Sequence, residues 1–203
     1  MLNRMRKFCQ RAGGVLLAIS TAVSLAVVAA PQANAAWGDI YTLTPRHSLN
    51  YSWPNFFPRP HCLDVGYYSI QEDAPVVSAQ CAGTLNQLWT MTWSVSSNNL
   101  ILRTNHNPYG NKCLDVAGRS QDHAAQVVQH TCDNGPSQTW QAIYLRSVNG
   151  VPYYLLQNSN SHLCLDVAYY GTANGTPVVQ ANCMGTDNQI WDLFNTRTTL
   201  HGV

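Results

Sequence analysis

Apolar residues along the chain come as short pairs and runs, separated by clusters of Gly, Asn, Pro and Ser. Runs of this length between turn residues are typical of short β-strands. Asn99–Arg103 and Pro152–Leu156 are predicted as matching strands. No segment keeps an apolar period of 3.6 residues with caps at both ends, so we expect very little helix.

Three sequence markers recur with the same 51-residue step. Cys-Leu-Asp-Val occurs at 62–65, 113–116 and 164–167, and Gln-x-Trp occurs at 87–89, 138–140 and 189–191. Valine pairs lie between them at 76–77, 127–128 and 178–179. Self-similarity at a fixed step indicates structural repeats, and three are too few for a propeller. We therefore expect three units of about four strands, closed into one barrel-like body with a pseudo-threefold axis. One tryptophan per unit would meet in the core: Trp89, Trp140 and Trp191.

The cysteines follow the same repeat. Six of them form three pairs 19 residues apart: Cys62 with Cys81, Cys113 with Cys132, and Cys164 with Cys183. An even number in a secreted chain indicates disulfides, and the repeat selects these partners from 15 connectivities. Zinc is the alternative, but its cysteine ligands are usually two to four residues apart.

The first 35 residues have the features of a secretory signal. A basic segment at 4–7 precedes the uncharged apolar stretch 14–30, and Ala33-Asn34-Ala35 fits a cleavage site. A membrane anchor is the alternative, because the stretch approaches spanning length. We expect a secreted mature chain of 36–203 that inserts in no membrane and forms a single domain.

Charge changes this picture in one respect. Only 10% of the residues are charged, against roughly 25% in typical domains. Residues 1–35 hold four basic residues and no acidic one, so 36–203 has seven basic against ten acidic residues, a net charge of −3. Nucleic-acid binding needs a cationic surface, so nucleic acid is excluded as a partner.

Together these motifs resemble the ricin B-type lectin family, and within it the bacterial family 13 carbohydrate-binding modules. The resemblance covers 36–203 and implies an all-β fold, the β-trefoil, with repeats of about 36–89, 90–140 and 141–203. It also implies multivalent binding of glycans, of galactose or xylan type, without a cofactor. A Pro- and aromatic-rich stretch within 41–61 departs from the family pattern.

Sugar recognition uses a carboxylate that accepts hydroxyl protons, an amide, and an aromatic ring under the sugar face. The resemblance assigns the carboxylate to Asp64, Asp115 and Asp166; local turn bonding is their alternative role. Gln87, Gln138 and Gln189 are expected to brace the core and these aspartates. The full set of predicted sugar-binding residues is Asp166, Gln180, Asn188, Tyr169, Tyr170, Asp115, Gln129, His130, Asp64, Asn86, Tyr67 and Tyr68.

The three predicted sites are unequal. The family usually has an aromatic residue two positions before the second cysteine, where this chain has Ala79, His130 and Ala181. The two repeats with alanine carry Tyr67-Tyr68 and Tyr169-Tyr170 after Cys-Leu-Asp-Val. We hypothesise that the stacking ring has moved to these tyrosines. The alternative is that one tyrosine of each pair covers the disulfide. The predicted ranking is third site, second, then first.

An enzyme is not expected. Glycoside hydrolysis usually needs two nearby carboxyl groups, and Glu72 is the single glutamate of the chain. No G-x-S-x-G motif occurs. No metal site is predicted, and the histidines are predicted to be ordinary surface residues: His47, His61, His106, His123, His162 and His201. The alternative function is a protein-interaction module of the toxin-subunit or protease-inhibitor type, acting through the aromatic loop 50–60.

Overall fold

The chain folds almost entirely into short strands. The computed structural model describes residues 39–49, 60–93, 99–107 and 111–196. Within these residues there is no α-helix, and no helical segment has the length and hydropathy that a bilayer crossing requires. The strands are β1 (Ile40–Pro45), β2 (His61–Val65), β3 (Ala74–Gln80), β4 (Trp89–Trp93), β5 (Leu100–Thr104), β6 (Lys112–Val116), β7 (Val127–Thr131), β8 (Trp140–Val148), β9 (Val151–Asn158), β10 (Cys164–Val167), β11 (Thr176–Ala181) and β12 (Trp191–Asn195).

Single-turn 3₁₀ segments connect many of these strands. They are Arg46–Leu49, Gly66–Tyr68, Leu85–Gln87, Ala117–Arg119, Pro136–Gln138 and Ala168–Tyr170. The strands predicted at 99–103 and 152–156 are present as β5 and β9. The expectation of an all-β protein is confirmed.

The strands pair antiparallel in the order β10-β11-β3-β7-β6-β5-β4-β1-β12-β9-β8, with β2 on β3 and further pairs β10–β9 and β5–β8. Each Cys-Leu-Asp-Val strand forms a hairpin with the valine-rich strand that follows it: β2 with β3, β6 with β7, and β10 with β11. The register is the same in each hairpin, because each aspartate lies opposite the second valine of its pair. The three hairpins therefore present equivalent faces.

The hydrophobic core is built around the three tryptophans. Trp89, Trp140 and Trp191 are fully buried, and each indole N–H donates to the carbonyl of the leucine in its own repeat's Cys-Leu-Asp-Val strand, at 3.0, 3.2 and 3.1 Å. A buried indole needs such an acceptor. Truncation of a buried tryptophan to alanine costs about 3–5 kcal/mol, so these three side chains dominate the packing.

The valine pairs meet at one point. The amide nitrogen of Gln126 lies 3.0, 2.9 and 2.9 Å from the carbonyl oxygens of Val76, Val127 and Val178. These valines are 51 residues apart. One amide thus links the three valine-rich segments.

The predicted disulfides are confirmed. Cys62–Cys81, Cys113–Cys132 and Cys164–Cys183 are bonded, each with Cα atoms 5.1 Å apart. The zinc alternative was wrong, because these sulfur atoms bond one another. Each bridge fastens the start of an aspartate strand to the end of its hairpin partner.

The predicted repeat ends at about 89 and 140 lie at the starts of two strands, and two predicted segments lie outside the described residues. The strands that begin with Trp89 and Trp140 continue to Trp93 and Val148, beyond the repeat ends placed at 89 and 140. The tryptophan is the first residue of its strand, and the pairing extends past it. The predicted leader 1–35 and loop residues 50–59 lie outside the described residues.

Candidate functional site

Two of the three repeated aspartates are held by a pair of amides. In the third repeat, Asn188 Nδ2 donates to Asp166 Oδ1 at 2.9 Å and Gln189 Nε2 donates to Oδ2 at 2.8 Å. In the first repeat, Asn86 and Gln87 make the same bonds to Asp64, at 2.8 and 2.7 Å. The carboxylates are thereby fixed in position, with lone pairs left for further donors.

The aspartate of the second repeat is held differently. Gln138 Nε2 donates to Asp115 Oδ2 at 2.8 Å, but Ser137 replaces the asparagine and its buried hydroxyl has no partner among the described residues. Asp115 Oδ1 instead accepts from the backbone N–H of Val116 at 2.7 Å. This carboxylate therefore has one side-chain donor fewer than the other two.

Burial sets the electrostatics of the amide-held aspartates. Burial raises the pKa of Asp166 above its usual 3.8, although the hydrogen bonds from Gln189 and Asn188 oppose the shift. The pKa of Asp64 is raised for the same reason, against its bonds from Gln87 and Asn86. The amide donors thus stabilise the ionised form of each carboxylate against the cost of its burial.

Two tyrosine loops, Gly66–Ser69 and Ala168–Gly171, directly follow the strands that carry Asp64 and Asp166. Tyr67 and Tyr169 have 97% and 98% of their surface exposed, while Tyr68 and Tyr170 are about half exposed. All four have φ between 55° and 58°, a left-handed conformation that is uncommon for bulky residues. Such strain concentrates at binding sites. Rings this exposed cannot cover a disulfide, so that alternative was wrong for Tyr67 and Tyr169.

The second repeat carries a pocket where the others carry tyrosines. A cavity of about 240 Å³ is lined by Asp73, Asp115, Val116, Gly118, Arg119 and His130. His130 Nδ1 lies 3.0 Å from Asp73 Oδ1 and 3.2 Å from Glu72 Oε2. Gly118 and Arg119 occupy the left-handed positions here. The pocket thus combines a carboxylate with a polar ring.

Gln129 and Gln180 do not join these sites. Gln129 lies opposite Leu114 and Gln180 opposite Leu165, so both side chains lie on the core face, whereas the aspartates face the other way. Both are fully buried. Gln180 Nε2 donates to Ser120 O at 3.0 Å and to Asp122 O at 2.9 Å. Their predicted role in sugar binding was therefore wrong: they join one repeat to the loop of the repeat before it. Strand alternation alone could have shown this.

Three histidines predicted at the surface are buried: His47, His61 and His106. His61 Nδ1 lies 3.2 Å from Ser78 Oγ, and burial lowers the pKa of His61. His47 and His106 contact the tyrosine loops. The prediction was wrong because each ring has a partner inside the protein. These partners are a backbone carbonyl and a tyrosine ring for His47 and for His106, and the Ser78 hydroxyl for His61.

The acidic side chains show no metal site. Across the described ranges, no three His, Cys, Asp or Glu side chains are grouped as metal ligands would be. Glu72 forms a salt bridge with Lys112 and accepts from the Thr131 backbone N–H at 2.9 Å. The single glutamate is thus engaged in a surface ion pair.

A protein-family model matches this chain. The family model described as ricin-type beta-trefoil lectin domain-like matches residues 86–181 and 144–201. No curated protein sequence matches the chain.

Several solved structures have a similar fold. The designed threefold-symmetric protein ThreeFoil is 29% identical, with a TM-score of 0.64 over 77% of this chain and 98% of its own. The exo-β-1,3-galactanase 1,3Gal43A from Clostridium thermocellum is 23% identical, with a TM-score of 0.65 over 78% of this chain and 30% of its own. The Macrolepiota procera ricin B-like lectin, in complex with lactose, is 17% identical, with a TM-score of 0.58 over 79% of this chain and 97% of its own.

Proposed function

The chain belongs to the ricin-type β-trefoil lectin domain-like family, and on this premise we propose that it is a secreted, non-catalytic, multivalent lectin. We infer that 36–203 is a single domain of three repeats around a pseudo-threefold axis. The recurrence of the disulfides and of the tryptophan–leucine bonds supports this arrangement. Three disulfides are also compatible with an oxidising, extracellular compartment.

One observation carries the proposal. In the first and third repeats, a carboxylate held by amide donors is followed three residues later by an almost fully exposed tyrosine. The carboxylate would accept protons from two vicinal sugar hydroxyls, and the ring would stack on the C–H face of the sugar. In the second repeat His130 would take the place of the tyrosine.

One structurally similar lectin supports the proposed class of ligand. The Macrolepiota procera lectin is described in complex with lactose, which supports galactose-type glycans as ligands; xylan-type polysaccharides remain our second candidate. Each hydrogen bond at a wet surface contributes only about 1 kcal/mol, so single sites would bind weakly. Two or three sites on one body would gain a factor of roughly 10²–10⁴ on a polymer through effective concentration.

The chemistry of the carboxylates favours binding over catalysis. Asp64, Asp115 and Asp166 belong to different hairpins, and each is bonded to amides of its own repeat. Glycoside cleavage needs two carboxyl groups about 5–10 Å apart around one bond. The galactanase relative is much longer than this chain, which spans 30% of it. We therefore assign this chain a binding role alone.

Retention on immobilised lactose and on insoluble xylan tests the proposal. We expect the oxidised protein to be retained and eluted by free sugar, and the variant Asp64→Asn/Asp115→Asn/Asp166→Asn to pass through. Asp122→Asn is the matched control, because the Asp122 side chain is exposed and its carboxylate accepts from the Ser120 hydroxyl two residues before it. If the folded wild type is retained on neither material, or if the triple variant is retained as well as the control, the proposal is refuted.

A further inference from the structure

Each tyrosine loop is closed by its own backbone and then tied to another repeat. Ser69 N donates to Gly66 O at 3.1 Å, and Gly171 N donates to Ala168 O at 3.0 Å. The last residue of each loop also presents its carbonyl to a buried histidine.

The two histidine contacts are alike. His106 Nε2 lies 2.7 Å from Ser69 O, and its ring meets the Tyr68 ring edge-on at 5.3 Å and 71°. His47 Nε2 lies 3.1 Å from Gly171 O, and its ring meets the Tyr170 ring at 6.1 Å and 80°. A carbonyl can only accept, so Nε2 carries the proton in both rings. In neither ring does Nδ1 have a partner among the described residues.

The second repeat differs in both respects. Its loop carries Gly118-Arg119 in place of the tyrosines, and no described histidine reaches it. Ser120 O accepts from Gln180 Nε2, and Asn160 Nδ2 donates to Arg119 O at 2.9 Å. Across the described loops, the histidine tie is thus found where the tyrosine pair is found.

We propose that His47 and His106 are positioning residues for sugar binding, which fix the backbone that presents the tyrosine rings. This inference rests on the proposed function. Tyr67 and Tyr169 are almost fully exposed, so packing within the protein cannot orient their rings. Their direction is set by a left-handed backbone that costs free energy and persists only when its surroundings hold it.

The two ties differ in strength. Ser69 O also accepts from Gln129 Nε2 at 2.7 Å. The residue 51 positions before Gln129 is Ser78, whose hydroxyl pairs with His61 and is too short to replace the amide. Among the described side chains, His47 is therefore the one that hydrogen-bonds the backbone of the tyrosine loop Ala168–Gly171. His47 N also donates to Asp187 O at 3.0 Å, next to Asn188, so His47 connects the tyrosine loop to the segment that holds Asp166.

The experiment isolates one site at a time. In Asp64→Asn/Asp115→Asn protein only the third site keeps its carboxylate, and lactose binding is titrated with His47→Ala and with His47→Gln. Glutamine keeps an amide donor near the position of Nε2. We expect His47→Ala to weaken lactose binding roughly tenfold and His47→Gln to stay within about threefold of the parent. A loss of lactose affinity in His47→Ala that is largely restored in His47→Gln supports the inference.

A reciprocal background controls for general damage. In Asp115→Asn/Asp166→Asn protein only the first site remains; there His47→Ala should leave lactose binding unchanged, and His106→Ala should weaken it only about two- to threefold, because Gln129 still holds the loop. Ring resonances of labelled tyrosine, recorded without sugar, should shift for Tyr170 in His47→Ala and for Tyr68 in His106→Ala.

The outcomes separate the two proposals. The positioning role is overturned if His47→Ala binds lactose at the third site as tightly as its parent does, or if His47→Gln binds as weakly as His47→Ala. It is also overturned if His47→Ala lowers lactose affinity equally at the first and third sites. If the wild type binds neither lactose nor xylan, the proposed function is refuted instead, and the positioning role fails with it. Tyrosine resonances that do not move, beside intact lactose binding, refute the tie but leave the lectin function standing.

Discussion

Replacing Tyr169 by glycine should separate the stability of the protein from its sugar binding. Tyr169 has φ 55° and ψ 24°, and its ring is 98% exposed. The ring therefore contributes almost nothing to the packing of the folded protein, while the backbone conformation has a cost. We expect the glycine variant to be more stable than the alanine variant at the same position, and both to bind sugar weakly.

The magnitude follows from the backbone. A left-handed conformation costs about 1–2 kcal/mol for a residue with a Cβ and little for glycine. Glycine loses about 0.5–1 kcal/mol through its greater freedom in the unfolded chain. Tyr169→Gly should therefore exceed Tyr169→Ala by about 1 kcal/mol in the free energy of unfolding, and Tyr169→Ala should lie within about 0.5 kcal/mol of the wild type. Loss of a stacked ring should weaken lactose binding at the third site about tenfold in both variants.

Urea unfolding of the oxidised variants measures the difference. With an m-value of about 2 kcal/mol/M, the two midpoints should differ by about 0.5 M. Gly118 supplies the reciprocal control: its φ is 61° and a Cβ there meets no atom within 4 Å, so Gly118→Ala should cost about 1 kcal/mol from backbone strain alone. Equal stability of the glycine and alanine variants at 169, or a loss above 2 kcal/mol in Tyr169→Ala, would refute the reasoning.

Three further predictions concern the scaffold and the carboxylates. Gln180→Leu removes the two hydrogen bonds that the buried Gln180 amide donates to Ser120 O and Asp122 O and should lower the free energy of unfolding by about 2 kcal/mol, with third-site lactose affinity within about threefold; an unchanged urea midpoint would contradict this. Cys113→Ser/Cys132→Ser should cost about 3 kcal/mol for its loop length, measured by thermal unfolding. Because burial raises the Asp166 pKa, native Asp166 holds its proton at a pH where the unfolded chain has released it. Its contribution to stability should fall as the pH rises from 3.8 to the raised pKa and stay constant above it. In Asp64→Asn/Asp115→Asn protein, third-site lactose affinity should fall as the pH drops through that raised value in titrations between pH 7 and 4; an affinity that stays constant over this range would contradict the role of Asp166 as an ionised acceptor.

The repeated part of the fold could be predicted from the sequence because the constraint itself repeats. The disulfide partners, the hairpin strands and the buried tryptophans each recur at one step of 51 residues. Pairings of this kind are local, within 19 residues for each disulfide. Local pairing leaves few alternatives for the chain to adopt.

Gln129 and Gln180 lie on the core face, although the family pattern predicted them at the sugar-binding sites. The family pattern suggested a polar group near the sugar, but strand alternation places these amides opposite the leucines of the aspartate strands, on the core face. Their partners lie about 60 residues earlier in the chain. A contact at that distance leaves no mark at short spacing.

The sequence by itself therefore determined the number of repeats, their strands, their disulfides and the three aspartates, because each is encoded by neighbouring residues within one unit. Only the tertiary structure decided how the units support one another. His47 and His106 are placed against tyrosine loops of other repeats, and neither histidine recurs at the 51-residue step. The physical reason is that these contacts form where two repeats meet, between residues 37 and 124 positions apart, and closure of the sheet brings them together.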